Sequence, residues 1–390
     1  MTTHPIAIAV ELDGDGAHPA AWRVAGHDPA ALLSGKRVAE TVRAAERAGF
    51  SAVTFDDGAV RPGADGRSVG GRLDAVQRAA FAAPLTSAIG LVAVAGAVYS
   101  EPFHVSTQLA TADLASGGRV GWIADTDGGP AAAPVFGREP VDRAEAVETA
   151  ADAIEAVRRL WDSWEDDAVV RDTTTWRYID RSRVHHVDFT SERFSIAGPS
   201  IIPRPPQGQL PVFAPLAAGL PAGTDVALVT SSAQATRRVA LEAGASQVWL
   251  ELEVALDRAG VPAARRVAEL DAHTPWVPGE RGRYVGDADG LVALLEDLVG
   301  QVDGVRLFPA VLDEDLDEVG RAVLPALRAS GHFRSPRAGE RLRDVLGLPN
   351  AANRYAGART DDTAADRAAT GRDTAAGADD ATTSLQGVSA

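Results

Sequence analysis

The sequence predicts an α/β fold, a (β/α)8 barrel of the TIM type. Short apolar runs of strand length alternate with helical patterns along most of the chain, and eight such runs can be counted. No G-x-G-x-x-G turn follows the first run, as a dinucleotide-binding open sheet would require. The chain has 390 residues, 45% of them apolar and 24% charged, so it can bury one large barrel core.

The elements follow in order. Residues 6–12 form an apolar first strand, and a Gly/Asp/His/Pro loop with Trp22 and Arg23 comes after it. Residues 37–49 are helical, with Val38, Val42 and Ala45 on one face and Gly49 as the stop. Strand two, 51–55, ends at Asp56-Asp57; a Gly/Arg loop over 61–72 leads to a helix over 73–82 and a third strand over 88–95. The stretch 99–122, YSEPFHVSTQLATADLASGGRVGW, is the best-defined βαβ link. Glu101 and Pro102 open its helix, Val105, Leu109, Ala112 and Ala115 share a face, and Gly117-Gly118 stop it before strand four at 119–123. The clearest helix, 141–161, carries Val147, Ile154, Val157 and Trp161 on one side.

Residues 162–209 then break the rhythm as an insertion, acidic, then aromatic, then Pro-rich, in which 184–194 can form a hairpin. Strands five to seven are expected at 210–216, 225–230 and 247–254, with a helix at 233–243. Only AAGLPAGT separates strands five and six, too short for the usual helical crossover, so the helix there is expected to be lost. A variable stretch over 255–284 precedes a helix at 287–299, strand eight at 304–308 and a last helix marked by Leu316, Val319, Val323 and Leu327. One barrel domain over 1–355 is expected, with 217–284 its variable region. Residues 356–390, almost free of large apolar side chains, form an expected disordered tail.

Composition excludes several functions. A net charge of −16 argues against nucleic acid, whose phosphates need clustered Lys and Arg. The lack of cysteine removes disulfides, thiolate catalysis and Cys-ligated metal. The N-terminus MTTHPIAIAVELDGDG lacks the basic start of a signal peptide, and no 18-residue apolar window exists, so a soluble cytoplasmic protein without membrane contact is expected. His185 and His186 point to opposite faces of an extended chain, so no metal site is expected there. No Ser-His-Asp arrangement and no P-loop is visible. His104, at the start of a helix, can act as acid or base near neutral pH.

Several long motifs resemble those of the bacterial-luciferase-like flavin-dependent monooxygenases, in the branch of the nitrilotriacetate and dibenzothiophene-sulfone monooxygenases. These are HPAAWR (18–23), the stretch 99–122, RRLWDSWEDDAVVRD (158–172), RYIDRSRVHHVDF (177–189), FSIAGPSIIPRPPQGQLPV (194–212), GHFRS (331–335) and LRDVLGLPNAANRYA (342–356). The resemblance implies FMN at the C-terminal ends of the barrel strands, reduced by a separate flavin reductase, and the oxygenation of a small organic substrate by O2. It implies a homodimer as well. It places flavin contacts at Asp57, Gly96 and Ile123, a catalytic role at His104, and a substrate pocket at Trp22, Arg23 and Tyr99.

Some positions depart from that pattern. The family has hydroxyls at the end of strand three, where this chain has none before Tyr99. Ile123 replaces an Asn amide, Val141 replaces a phenol, and Pro215-Leu216-Ala217-Ala218-Gly219 replaces a phosphate-binding turn of the type QAGxS. A phosphate dianion needs converging N–H and O–H donors, each worth about 1.5–3 kcal/mol. Two readings follow: a two-component FMN-dependent monooxygenase, or a non-catalytic, flavin-poor relative that serves as a binding or assembly partner.

Overall fold

The structure, a computed structural model, describes residues 5–58, 70–216 and 219–356. Eight strands build a closed barrel: β1 Ala7–Glu11, β2 Ala52–Phe55, β3 Gly90–Gly96, β4 Val120–Asp125, β5 Val212–Pro215, β6 Val226–Val229, β7 Gln247–Leu256 and β8 Gly304–Pro309. All pair in parallel with their chain neighbours, and β8 pairs with β1 to close the ring. The predicted strands are therefore all present, with ends moved by a residue or two.

Each of the first crossover helices is started by its own side chains. Ser34 accepts from the Arg37 N–H at the head of α1 Gly35–Ala48, and Asp74 from the Gln77 N–H at α2 Ala75–Ala82. Glu101 accepts from the N–H groups of Phe103 and His104 at α3 Pro102–Ser116, which stops at Gly117 with φ 69°. Asp142 accepts from the Glu145 N–H at α4 Arg143–Asp162. Further along lie α5 Gln234–Glu242, α6 Ala263–Asp271, α7 Ala288–Asp297, and α8 Leu312–Glu318 with its continuation through a π turn to Ala329.

The GGR segment after α3 is scaffold. Buried Arg119 donates to the carbonyls of Ala83, Thr86 and Ile89, which ties the α2–β3 turn to the foot of β4. Buried Asp113 accepts from the Val120 N–H and from Gln207 Nε2, joining α3 to the insertion.

Strand alternation separates two cores. Ile6, Ile8 and Val10 face the helices, whereas Ala7 and Ala9 face the barrel interior with Ala52, Val92, Val94, Ile123, Phe213, Leu228 and Trp249. Leu342, Leu346 and Leu348, in and just after the short helix Leu342–Val345, plug the N-terminal end of the barrel. Gly304 is dictated by this packing: a Cβ there would lie 2.4 Å from the Trp249 ring.

The link between β5 and β6 holds no helix among its described residues, as expected; Ala217 and Ala218 lie outside them. Instead α4 leans onto the gap. Arg158 Nη2 donates to the Gly223 carbonyl at 2.7 Å and reaches Asp225 at 2.8 Å. Gly223 is so close to Ile154 that a Cβ would meet it at 2.8 Å.

Two expectations need correction. The insertion forms two hairpins, Val169–Asp172 with Arg177–Ile179 and Phe189–Thr190 with Ser195–Ile196, so the second runs past the 184–194 segment. The stretch 255–284 holds α6 and leads into a ninth strand of the barrel sheet, Gly282–Gly286, parallel to Leu252–Leu256 of β7. Because β8 holds the other edge of β7, this strand continues where β6 stops, and it brings Arg281 and Arg283 to the barrel mouth. Residues 61–69 and 357–390, the loop and the expected tail, lie outside the described residues.

Candidate active site

The C-terminal ends of the strands open on a mouth made of three adjoining cavities, all lined in part by Asp125. The central one, about 350 Å³, sits over the barrel axis between Glu11, Ile123, Pro215, Glu251 and Arg306. A second, about 400 Å³, lies against Asp57, Gly96, Tyr99 and His104. A third, about 560 Å³, lies between the loop after β4 and the head of α4, with Val141, Asp142, Arg143 and Pro215 in its wall.

A buried ion network forms the floor. Arg306 on β8 donates to Glu251 at 2.6 Å and to Thr54 Oγ1 at 2.9 Å, and it contacts Glu11 directly. Thr54 donates to Glu11 at 2.7 Å, and the other Glu11 oxygen accepts from the Asp56 N–H at 3.1 Å. Arg281 binds the second oxygen of Glu251 at 3.2 Å and lies 3.8 Å over Phe308, whose ring Arg306 also approaches at 4.6 Å. Arg283 pairs with Glu253 at 2.7 Å and stacks 3.6 Å over Trp276. Burial alone would lower the Arg306 pKa, but Glu11 and Glu251 raise it. Burial pushes the Asp125 carboxyl up to about 6, with Asp127, Asp56 and Asp57 adding to the rise.

The structure brings five of the seven expected site residues to this mouth. Asp57 accepts from the Ala75 N–H at 3.0 Å, so it also helps seat α2, and burial raises its pKa. Gly96 offers bare backbone, with Ser100 Oγ 2.6 Å from where a Cβ would stand. Ile123 pairs with Val94 in register and is 5% exposed, giving an apolar wall. Tyr99 donates to the carbonyls of Gly128 and Glu139 at 2.8 and 3.1 Å and stacks on Phe136, closing one side. The His104 side chain is exposed at the rim, and its ring has no hydrogen-bond partner among the described residues.

Trp22 lines a different cavity, about 270 Å³, bounded by Leu12, Phe55, Arg72 and Arg78; it adjoins the mouth through Asp13 and Gly16. Arg23 is exposed and stacks 5.2 Å from the Trp22 ring, outside these cavities. His185 binds Glu165 and His186 the Ala197 carbonyl, so they diverge as expected, and no metal-binding group of acids and histidines occurs among the described residues.

The network of Glu11, Glu251 and Arg306 was not foreseen. Each is a charge at an inward-facing position of an otherwise apolar strand, alone in IAIAVEL and GVRLFP and accompanied by Glu253 in VWLELEV. A charge placed there in an otherwise buried strand is the available signal.

A sequence profile described as luciferase-like monooxygenase matches residues 17–231, more than half of the chain. The chain belongs to the luciferase-like monooxygenase family. Within it, the chain is 33% identical to one of the pristinamycin IIA synthase subunits of Streptomyces pristinaespiralis, across 70% of this chain and 86% of that one. It is 26% identical to N-acetyl-S-(2-succino)cysteine monooxygenase of Bacillus subtilis (strain 168), across 90% and 98%. It is 27% identical to dibenzothiophene-sulfone monooxygenase of Rhodococcus erythropolis, across 84% and 93%. The fold of this luciferase-like chain matches EDTA monooxygenase from Chelativorans sp. BNC1 with a TM-score of 0.76 at 20% identity, covering 89% of this chain and 99% of that one.

Proposed function

We propose that this chain is the oxygenating component of a two-component flavin-dependent monooxygenase. A separate flavin reductase supplies the reduced FMN, and a small organic substrate enters the barrel mouth. The observation that carries this reading is the set of linked cavities at the strand ends, in a barrel whose relatives include several monooxygenases.

The residues fit a flavin ring. Gly96 and Ala95 line a cavity of about 400 Å³ with little side-chain bulk, and Val94 and Ile123 form an apolar wall next to it. They do not fit its phosphate, because Pro215 has no N–H and the turn Pro215-Leu216-Ala217-Ala218-Gly219 carries no hydroxyl. Bound reduced flavin supplies the two electrons that let O2 place one oxygen atom on a substrate and release the other as water. The protein's own share is to exclude water with Val94 and Ile123, to hold the closed side with Tyr99, and to hold or move a proton at Asp125 or at the His104 imidazole.

Titration with FMN and riboflavin by fluorescence, followed by oxygen uptake with a flavin reductase across candidate substrates, tests this reading. Flavin binding with substrate-dependent uptake is the expected result. Absence of binding to any flavin, oxidised or reduced, overturns it in favour of the assembly-partner reading. The expected homodimer and cytoplasmic location belong to the same proposal. Among the described residues no helix is long and apolar enough to cross a membrane.

A further inference from the structure

The third cavity includes Pro215, the first residue of the turn at which the resemblance expects a phosphate anchor. Val141 and Pro215 share its wall with Asp125, Asp127, Asp142 and Arg143. A phosphate held there would need N–H groups free to donate, and several of those described nearby are already used within the protein. The Leu216 N–H donates to the Leu228 carbonyl at 2.9 Å, and the Val141 N–H to the Gly128 carbonyl at 3.0 Å. The Gly129 N–H donates to Asp127 at 2.8 Å, and the Asp127 N–H to Asp125 at 3.0 Å.

The head of α4 is occupied too. Asp142 accepts from the Glu145 N–H at 2.9 Å, so a carboxylate stands where an anion would otherwise bind. No helix follows β5 among the described residues to provide another such end. Three carboxylates therefore face one exposed cation, Arg143, and one hydroxyl, Thr126. A phosphate dianion gains little in such a field, whereas the uncharged ring system is not repelled by it and has Val94, Gly96 and Ile123 to lie against in the neighbouring cavities.

We infer that this barrel recognises flavin through its ring system and not through the ribityl phosphate, so that riboflavin and FMN are held about equally. This rests on the reading that the mouth takes a flavin. It makes the cofactor class any flavin with an intact ring, whatever its phosphorylation state, and it makes the carboxylates of the third cavity a device that weakens FMN in particular.

The test is a paired titration of the full chain with oxidised riboflavin and oxidised FMN, read by quenching of flavin fluorescence at low and high salt. The expected result is dissociation constants within about threefold of each other, where a phosphate held by three charge-assisted bonds would give a gap of about 100-fold or more. The double variant Asp127→Asn, Asp142→Asn keeps the acceptors for the Gly129 and Glu145 N–H groups but removes their charge. It is expected to tighten FMN by about tenfold at low salt and to leave riboflavin within about twofold. FMN held more than about thirtyfold tighter than riboflavin by the unaltered chain, or a double variant with unchanged FMN affinity, overturns the inference while the proposed function stands. Binding of neither flavin overturns both.

Discussion

Arg306 on β8 and Glu251 on β7 meet at 2.6 Å inside the barrel, with Glu11 on the other side of the same guanidinium. Both residues are over nine-tenths buried. Removing the cation leaves buried Glu11 without its charged partner and Glu251 with Arg281 alone. Arg306→Ala is therefore expected to destabilise the fold by about 3–5 kcal/mol, read from denaturant midpoints. Arg306→Met combined with Glu11→Gln and Glu251→Gln removes the charges together and is expected to recover most of that loss. Equal damage from both variants would mean that packing, and not charge, sets the cost.

Asp125 gives a pH prediction with a definite sign. Burial raises its carboxyl from 3.8 to about 6. Between those values the folded chain holds a proton that the unfolded chain has released. Its contribution to stability therefore falls as pH rises through that window and stays unfavourable above it. Asp125→Asn keeps the bond from the Asp127 N–H. It is expected to be neutral near pH 4 and stabilising by about 1–3 kcal/mol above about pH 6. Midpoints of both proteins across about pH 4–8 check this. A constant difference between them would show that Asp125 does not titrate in this range.

Gly304 stands where β8 passes the Trp249 ring, which would lie 2.4 Å from a Cβ at that position. Gly304→Ala must push a fully buried indole against Phe213, which it already meets edge-on at 5.4 Å. A loss of about 1–3 kcal/mol is expected, seen as a lower Tm. Adding Trp249→Leu opens space and should return part of the loss. A Gly304→Ala variant with unchanged Tm would show that the barrel interior yields more easily than its packing suggests.

How far the sequence reveals this molecule depends on whether a feature is local. The βαβ units are legible because each carries its own signals, such as Glu101-Pro102 before α3 and Gly117 after it. The lost crossover helix is legible from the count of residues between β5 and β6. Its replacement by α4 through Arg158 and Gly223 is not, because those residues lie 65 positions apart. The ninth strand escapes notice for a related reason: RGRYVG pairs only with the far half of an overlong β7, a partnership that no local pattern announces. At the site, Asp57, Gly96, Ile123, Tyr99 and His104 are found by motif position. Glu11, Glu251 and Arg306 come from three distant strands and meet only when the barrel closes.

His104 is the remaining proton-transfer candidate at the mouth. Its backbone N–H is fixed by Glu101 at 2.7 Å, while its imidazole stands at the rim without a partner among the described residues. A positioned acid or base contributes about 10²–10⁴ in rate. His104→Ala is therefore expected to lower substrate-dependent oxygen uptake by about 100-fold and to leave the flavin dissociation constant unchanged. His104→Asn, which keeps a polar side chain but cannot take the proton, should behave like His104→Ala. If His104→Asn retains full rate, the ring serves only to line the cavity, and Asp125, whose carboxyl burial pushes up to about 6, becomes the residue to vary next.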